Sequence, residues 1–240
     1  MKNFAYMLVL GAVLALLAFP QKSAWCAEAD LKDVVSTLEQ GYRELNDVQA
    51  DFTQRTSLAS IKKEQNGSGT LAIKKTAGAS AMFRFDYSKP EQQIVCNGKS
   101  VWFYIPENNQ VMVSDVRSLF QGENSVALNY LTGMDHISRD YSSSFVGGGR
   151  DKKGNYVLEL VPRKKNRVMA KLQITVAEHA VEQFMKDGKA HDPFPIVSSV
   201  VYDPYGNRTA IEFSRVRVNK GIAGSRFSFR IPKGVEVIKR

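Results

Sequence analysis

The sequence contains few of the residues from which catalytic and metal sites are usually built. Its three histidines, His136, His179 and His191, never stand two to four positions apart. Its two cysteines, Cys26 and Cys96, are too far apart in the chain to form a zinc-binding pair. No Gly-x-Ser-x-Gly nucleophile elbow occurs. These absences predict that the protein is not an enzyme and that it holds no metal ion and no cofactor.

Three short segments resemble parts of known sites, but each has a simpler explanation. Residues 98–100 look like the end of a phosphate-binding loop, yet Gln93 stands where that loop needs a glycine. Residues 151–155 resemble a calcium loop with lysines in ligand positions, which favours a turn. Asp135-His136 could be an acid/base pair, and two polar residues after a helix end would look the same.

The first 26 residues predict a cleaved signal peptide. Lys2 supplies a basic start, residues 4–19 form a continuous apolar run, and small residues follow near the predicted cleavage site. The run is shorter than the roughly 20 residues that span a bilayer. A retained N-terminal anchor and lipid attachment at Cys26 are the alternatives, although Trp25 is bulky where a lipidation signal has a small residue. We therefore expect residues 27–240 to form one domain in the periplasm.

Cysteine usage predicts no disulfide framework. Cleavage of the signal peptide would remove Cys26 and leave Cys96 as a single thiol. Cys96 then fits a small buried apolar residue in a strand. If Cys26 stayed in the mature chain, a Cys26–Cys96 bridge would be possible.

Basic residues are concentrated late in the chain. The formal net charge is +9, and from Arg208 to Arg240 nine residues are basic and two are acidic. In an exported protein this excess favours anionic membrane surfaces or acidic protein partners over nucleic acid. A solvated basic strand face would explain the same pattern.

Hydrophobic periodicity predicts one helix followed by a series of strands. Apolar residues recur at three- and four-residue steps from Leu31 to Leu45, which predicts an amphipathic helix with Asp30 as its N-cap. Alternating apolar residues then predict about ten or eleven strands joined mostly by short turns. The series includes a meander up to residue 114 and segments at 181–185 and 227–231, with a bulge before Val216. Residues 59–69 are predicted as a loop or the end of a hairpin, and the glycines at 147–149 as a flexible hinge or loop.

A helical insert interrupts the strands. Residues 115–120 and 123–131 predict two short helices, which are too short to be stable alone and must dock on the sheet. There they could cover its open side as a plug or lid. The predicted fold is therefore mainly β with some α: a curved antiparallel sheet or incomplete antiparallel barrel, with an N-terminal helix and a helical lid.

Five motifs follow one another in a fixed order after the signal peptide. They are Phe52-Thr53-Gln54, Gly69-x-Leu71-x-Ile73-Lys74-Lys75, Phe83-x-Phe85-x-x-x-x-Pro90, Asn97-Gly98-Lys99-x-x-Trp102-x-Tyr104 and Phe227-x-Phe229-x-x-Pro232-x-Gly234-Val235. Each is weak alone, but in this order, with the helical insert, the chain resembles the periplasmic outer-membrane lipoprotein carriers of the LolA type. The resemblance covers residues 30–239 and is clearest up to Tyr104.

This resemblance implies a half-barrel whose helices close its open side over an apolar cavity. Such carriers hold the acyl chains of lipoproteins. An ABC-type exporter of the inner membrane loads them, and a receptor lipoprotein at the outer membrane unloads them. A protein of this kind would act as a monomer and bind no nucleic acid. The implied lipid-binding cavity is lined by Leu71, Ile73, Phe85, Tyr87, Ile94, Leu128, Leu131, Leu172 and Ile174.

Two further positions have implied roles of their own. Phe83 falls near the mouth of the cavity, where an exposed aromatic residue would contact partners. Members of this family often have Arg-Pro after the second strand, and the arginine hydrogen-bonds the lid shut, whereas this chain has Lys75-Thr76. Lysine lacks the planar fork of donors that arginine has, so a lid latch through Lys75 would be weaker.

The sequence leaves three functions open. The leading hypothesis is a carrier that takes lipoproteins released from the inner membrane, shields their acyl chains and delivers them to the outer membrane. A lipid- or lipoprotein-sensing envelope regulator with the same half-barrel is the alternative, and an enzyme with an unrecognised site is the third. A sensor would usually carry an anchor or an interaction domain, and none is visible in the sequence, which favours the carrier.

Overall fold

The computed structural model describes residues 28–76, 81–116, 131, 133–164 and 168–239. Within these ranges the helices are α1 (Leu31–Glu44), α2 (Ile137–Asp140) and α3 (Glu178–Asp187). The strands are β1 (Asp47–Leu58), β2 (Lys63–Lys74), β3 (Met82–Lys89), β4 (Glu91–Cys96), β5 (Ser100–Ile105), β6 (Gln110–Asp115), β7 (Tyr141–Arg150), β8 (Tyr156–Pro162), β9 (Lys171–Val176), β10 (Ile196–Tyr202), β11 (Arg208–Val218) and β12 (Glu236–Lys239). The chain is therefore mainly β, as predicted.

All twelve strands belong to one open sheet. Its order is β12-β6-β5-β4-β3-β2-β1-β11-β10-β9-β8-β7, and neighbours are antiparallel except β12 and β6, which are parallel. Strands β12 and β7 are the two edges and do not pair with each other in the described ranges, so the barrel is incomplete, as predicted. The sequence predicted ten or eleven strands. Strand β7 was missed because its serines and the glycines at 147–149 lack alternating apolar residues.

Helix α1 begins where the sequence predicts. The side chain of Asp30 accepts a hydrogen bond from the Asp33 N–H at 2.9 Å, and the Asp33 carboxylate accepts one from the Asp30 N–H at 3.0 Å. This reciprocal capping box satisfies donors that a helix N-terminus otherwise leaves unpaired. The helix ends at Glu44, one residue before the end of the predicted apolar stripe, and buries Val34, Leu38 and Tyr42.

Two local predictions were wrong. Residues 181–185 lie in α3, not in a strand; Val181 and Phe184 recur at a helical step, and Gly188 caps the helix with φ 72°. Residues 227–231 form no strand, and β12 is the last strand of the chain instead. Residues 63–69, predicted as part of a loop or the end of a hairpin, extend β2 and pair with β1 at the end of their hairpin. That part of the hairpin is polar on both faces, so periodicity carries no signal there.

One face of the sheet, which we call the inner face, packs against α1. Side chains alternate between the two faces of a strand, so Leu71 and Ile73 of β2 share this face with Phe83 and Phe85 of β3. They join one buried cluster with the apolar stripe of α1 and with residues of β8, β9 and β10. Since strands from both halves of the sheet reach the same cluster, the sheet bends around α1.

Gly69 allows β2 and β3 to approach closely beside this core. A Cβ atom at Gly69 would lie 2.0 Å from the carbonyl oxygen of Asp86 and 2.8 Å from the Cα of Tyr87. The register also shifts between Ser68 and Gly69. Backbone atoms cannot yield as a flexible side chain can, so only glycine fits this position in the motif.

The opposite, outer face is crossed by a C-terminal strap, residues 219–235. The strap is tied down at its start by Asp47, whose carboxylate accepts hydrogen bonds from the N–H groups of Lys220, Gly221 and Ile222 at 2.9, 2.9 and 3.3 Å. Asn219 forms a second attachment. Its side-chain oxygen accepts a hydrogen bond from the Asn46 N–H at 2.7 Å, and its side-chain nitrogen donates one to the Glu44 carbonyl at 2.9 Å.

The middle of the strap covers apolar residues of the outer face. Phe227 is fully buried in a small cluster with Ala72 and Ile222. The ring of Phe229 lies 6.2 Å from Trp102 and 5.7 Å from Tyr104. The aromatic residues of the closing motif therefore act as a cover for the sheet.

Candidate functional site

The predicted cavity residues of the N-terminal half of the chain all lie on the inner face. Leu71 pairs in register with Phe85, and Phe85 pairs with Ile94. Leu71, Ile73 and Phe85 are buried, whereas Tyr87 and Ile94 are half-buried and pack against the same cluster. The structure therefore brings these five residues together. Their contact with acyl chains stays a prediction.

Aromatic rings dominate this part of the inner face. The ring of Phe52 lies 5.6 Å from Phe85 and 4.9 Å from Tyr87, both in edge-to-face arrangements. The Tyr87 hydroxyl donates a hydrogen bond to Gln54 Oε1 at 2.9 Å. Burial raises the pKa of Tyr87 to about 12 because the ionised phenolate would be poorly solvated. Burial therefore strengthens the preference of Tyr87 for its neutral form, which suits an apolar wall.

The C-terminal half of the chain contributes to the same cluster. Leu172 and Ile174 of β9 are fully buried, and so is Leu131, the last residue of the second predicted lid helix. Leu128 lies outside the described residues. Residues predicted for one cavity from distant parts of the sequence therefore meet in one apolar region of the fold.

Phe83 differs from its expected environment. It is 2% exposed and its ring lies 6.3 Å from that of Phe85, so the expected exposed aromatic at a cavity mouth is wrong for this conformation. The physical reason is register: Phe83 pairs with Ile73 and Cys96 on the inner face. There it joins the buried cluster with α1, Met134 and Ile137, and we call α1 together with residues 134–140 the helical cover. Its role in partner contact stays a prediction.

Lys75 lies where the inner face meets its helical cover. Its Nζ donates a hydrogen bond to the carbonyl oxygen of Tyr42, near the end of α1, at 2.6 Å. The same Nζ lies 3.7 Å from Asp135 Oδ2, in the 3-10 turn that follows the insert. Lys75 therefore contacts both covering elements. The His136 Nε2 lies 4.0 Å from the Asp135 carboxylate, which is too long for a hydrogen bond. The two side chains therefore form no hydrogen-bonded acid/base pair.

Three inner-face residues were not among the predicted cavity residues. Phe52 stands at the centre of the aromatic group, and its place in the first motif was the available signal. Phe103 pairs with Ile94 and with Met112, so both belong to the inner face. Trp102 and Phe103 are neighbours in β5, so they must face opposite sides of the sheet. Only the register decides which of the two faces inward.

The chemistry of the site is apolar. In the ranges that the structure describes, no group of three or more His, Cys, Asp or Glu side chains could hold a metal ion. Cys96 is a buried thiol whose pKa is raised by burial, against a smaller lowering by the Gly98 N–H. The described helices include none that is both long and apolar enough to span a membrane.

Comparison with known proteins agrees with this architecture. The family model of the outer membrane lipoprotein carrier protein LolA matches residues 43–189. The outer-membrane lipoprotein carrier protein of Xanthomonas campestris pv. campestris is 32% identical over 228 residues, which cover 95% of each chain. That of Chromobacterium violaceum is 30% identical over 239 residues, covering 99% of this chain and 98% of its own. The chain belongs to the outer-membrane lipoprotein carrier family.

A third carrier-family relative, from Methylobacillus flagellatus, is 26% identical over 215 residues, covering 89% of this chain and 91% of its own. A solved LolA superfamily protein from Nitrosomonas europaea has a TM-score of 0.40 at 13% identity over 84% of this chain and 98% of its own, and adds nothing to the assignment. The family model spans the first nine strands, and the match to the Chromobacterium violaceum relative also includes the strap.

Proposed function

We propose that this protein carries lipoproteins through the periplasm to the outer membrane, with their acyl chains held against the inner face of the sheet. The observation that carries the proposal is the single buried cluster in which β2, β3, β9, α1 and Leu131 meet. Each CH₂ group removed from water contributes roughly 0.8 kcal/mol, so acyl chains cannot cross an aqueous compartment uncovered. A continuous apolar face beneath a cover that can move would shield these chains from water and still allow their release.

Acyl chains would first bind where the inner face is least covered. Ile94, Phe103 and Met112 are neighbours in register across β4, β5 and β6, and all three are half-buried. Phe85, the next residue in the row, is 2% exposed. A chain bound along this row would reach the deeper core when the helical cover moves.

Within the described ranges, the helical cover makes polar contacts through Lys75 and Glu39, and these must break if the cover moves to release a cargo. Beyond the Lys75 contacts, the Ser138 N–H donates to Glu39 Oε1 of α1 at 2.7 Å. The Lys75–Asp135 contact is long, at 3.7 Å, and both side chains are partly open to solvent, so it would contribute only about 1 kcal/mol to a lid latch. A partner that binds the open form a few kcal/mol more tightly would then shift the cover open.

The partners in this proposal are acylated lipoproteins as cargo, an ABC-type exporter that loads them and an outer-membrane receptor lipoprotein that accepts them. The protein would act in the periplasm as a monomer after cleavage of residues 1–26, which lie outside the described ranges. Its relatives are named as carriers, so the alternative of a lipid- or lipoprotein-sensing envelope regulator has no support from them.

Photo-cross-linking at neighbouring positions of β4 tests the proposal. Ile94 faces inward and Gln93 faces outward, and both are half-buried. With benzoylphenylalanine at Ile94, we expect cross-links to acylated lipoproteins in periplasmic extracts, identified by mass spectrometry. The same residue at Gln93 should give none. Equal labelling at both positions, or acylated lipoproteins at neither, would overturn the assignment of the inner face.

A further inference from the structure

A cationic groove lies on the outer face, between the strap and strands β1, β2, β3 and β11. Two adjoining pockets of about 590 and 190 Å³ form it, and both are lined by Gln49 and Arg226. Small strap residues such as Gly221 and Ala223 leave it open. One carboxylate, Asp51, and five basic residues line the groove. The basic residues are Arg84, Arg215, Arg217, Lys220 and Arg226.

A bulge in β11 adds positive charge to the groove. Gln49 pairs with Arg217 and Asp51 pairs with Ser214, so two residues, Arg215 and Val216, stand opposite a single residue of β1. Arg215 adopts a left-handed conformation with φ 51°, which is uncommon for residues other than glycine. This local backbone directs the Arg215 guanidinium to Asp51 on the outer face.

Carboxylates of the protein balance only part of this charge. Asp86 lies 2.7 Å from Arg84 Nε and 3.4 Å from Arg226 Nη2. No ion pair within the described residues involves the side chain of Arg217 or of Lys220. Both are exposed residues of the groove lining. The groove therefore keeps an excess of positive charge that faces solvent.

We propose that this groove binds a phosphate-bearing anion. Guanidinium groups present planar forks of N–H donors that match phosphate oxygens in pairs, and three arginines surround the smaller pocket. The Thr70 hydroxyl and the Gln49 amide add neutral donors of the kind that bind phosphate. A short pocket with donors converging from several strands fits a compact anion better than an extended acidic peptide.

The phosphate has two possible sources, an anionic phospholipid headgroup and a soluble phosphate compound. The groove and the proposed acyl-chain site lie on opposite faces of the sheet. A headgroup bound in the groove would hold the protein at a membrane surface and leave the inner face free. The inference is independent of lipoprotein carriage, because loss of binding at one face leaves binding at the other measurable.

Charge reversal in the groove provides the test. The mature full-length protein, without its signal peptide, is mixed with phosphatidylcholine vesicles that contain or lack phosphatidylglycerol, and bound protein is measured by flotation. We expect binding only to the anionic vesicles, weakened about tenfold or more in a double variant with Arg217→Glu and Lys220→Glu. Glycerol phosphate, titrated against the same proteins by NMR, distinguishes a soluble source. Saturable shifts at groove residues with no vesicle binding would assign the site to soluble phosphates.

Matched variants keep the test specific. Arg208→Glu with Lys63→Glu makes the same change of charge at exposed residues near the far ends of β11 and β2, and we expect binding as in the wild type. Arg217→Lys keeps the charge and removes the fork, so it should bind more weakly than the wild type. The proposal is overturned if the control pair weakens binding equally, if Arg217→Lys has no effect, or if only an acidic peptide such as polyglutamate binds.

Discussion

The inner and outer faces of this sheet use the same strands for opposite purposes. On β3, Phe83 and Phe85 are buried in the inner core, while Arg84 and Asp86 form an ion pair on the outer face. The contrast arises from alternation alone, because successive side chains of a strand point to opposite faces. A shift of one residue in the register of β3 would exchange an apolar wall for a charged groove.

The covers of the two faces differ as well. The strap on the outer face is held by three backbone hydrogen bonds to the buried Asp47 and by the packing of Phe227. On the inner face, the described polar contacts of residues 134–140 involve the half-buried side chains of Lys75 and Glu39. The comparison suggests a fixed cover outside and a movable cover inside.

The largest effect is expected when neighbouring residues of β3 are compared. Phe85→Ala removes a ring from the inner core and should lower the free energy of unfolding by about 3–5 kcal/mol. Asp86→Asn changes an ion pair on the outer face and should cost less than about 1 kcal/mol. Urea unfolding followed by circular dichroism measures both. Similar losses for the two variants would show that the faces are not as different as the register indicates.

The same register explains how far the sequence could predict the fold. The N-cap at Asp30 and the bulge before Val216 depend on local residue chemistry, and the structure confirms both. Strand β7 was missed because its partner β8, rather than its own apolar pattern, defines it. Residues 227–231 alternate like a strand, but Phe229 covers Trp102 and Tyr104 instead of pairing, which only tertiary packing decides.

The candidate site was predictable in part for a related reason. Alternation places Phe85 and Ile94 on one face, so their proximity follows from adjacent antiparallel strands. The inward direction of Phe103 and the burial of Phe83 depend on the register and on the position of the helical cover. Neither is encoded in a short stretch of sequence, so both required the structure.

Asp47 tests whether the outer cover is fixed. Asp47→Ala leaves the N–H groups of Lys220, Gly221 and Ile222 without their acceptor, and should lower the free energy of unfolding by about 2–4 kcal/mol. Amide hydrogen exchange at these residues should become faster in the variant. Asp203→Ala is the control, since its carboxylate also accepts backbone N–H groups, but at an exposed turn, where about 1 kcal/mol is expected. Unchanged exchange in Asp47→Ala would mean that packing alone holds the strap.

The pH dependence of the free energy of unfolding tests whether Tyr87 lies in an apolar environment on the inner face. Burial raises its pKa from 10.0 to about 12, so between these values the unfolded chain loses a proton that the folded protein keeps. This contribution to stability is complete below pH 10 and falls as the pH rises toward 12, by about 1.4 kcal/mol per pH unit. The loss attributable to Tyr87 at pH 11 should therefore be about 1–2 kcal/mol.

Substitution isolates that loss from the other titrating groups. Tyr87→Phe should reduce the fall in the free energy of unfolding between pH 9 and pH 11, measured by urea titration at each pH. Tyr205→Phe, at a tyrosine that is 72% exposed, should leave the fall as it is in the wild type. If both variants behave like the wild type, Tyr87 is solvated and belongs to no apolar wall.

The smallest effect on stability, and the one most directly tied to function, is expected at Lys75. Lys75→Met removes the hydrogen bond to the Tyr42 carbonyl and the contact with Asp135, which should cost no more than about 1 kcal/mol of unfolding free energy. Amide exchange around Met134 and Ile137 should nevertheless increase, because the Lys75 contacts hold the segment at residues 134–140 to α1 and β2. Lys75→Arg should have the opposite effect, since the planar fork of a guanidinium group can donate paired N–H groups to the Asp135 carboxylate. Lys32→Met, at an exposed lysine on α1, should change neither quantity. Equal exchange in the Met and Arg variants would place the resistance to opening in the apolar packing of Met134 and Ile137, and the inner cover would then be held in the same way as the outer one.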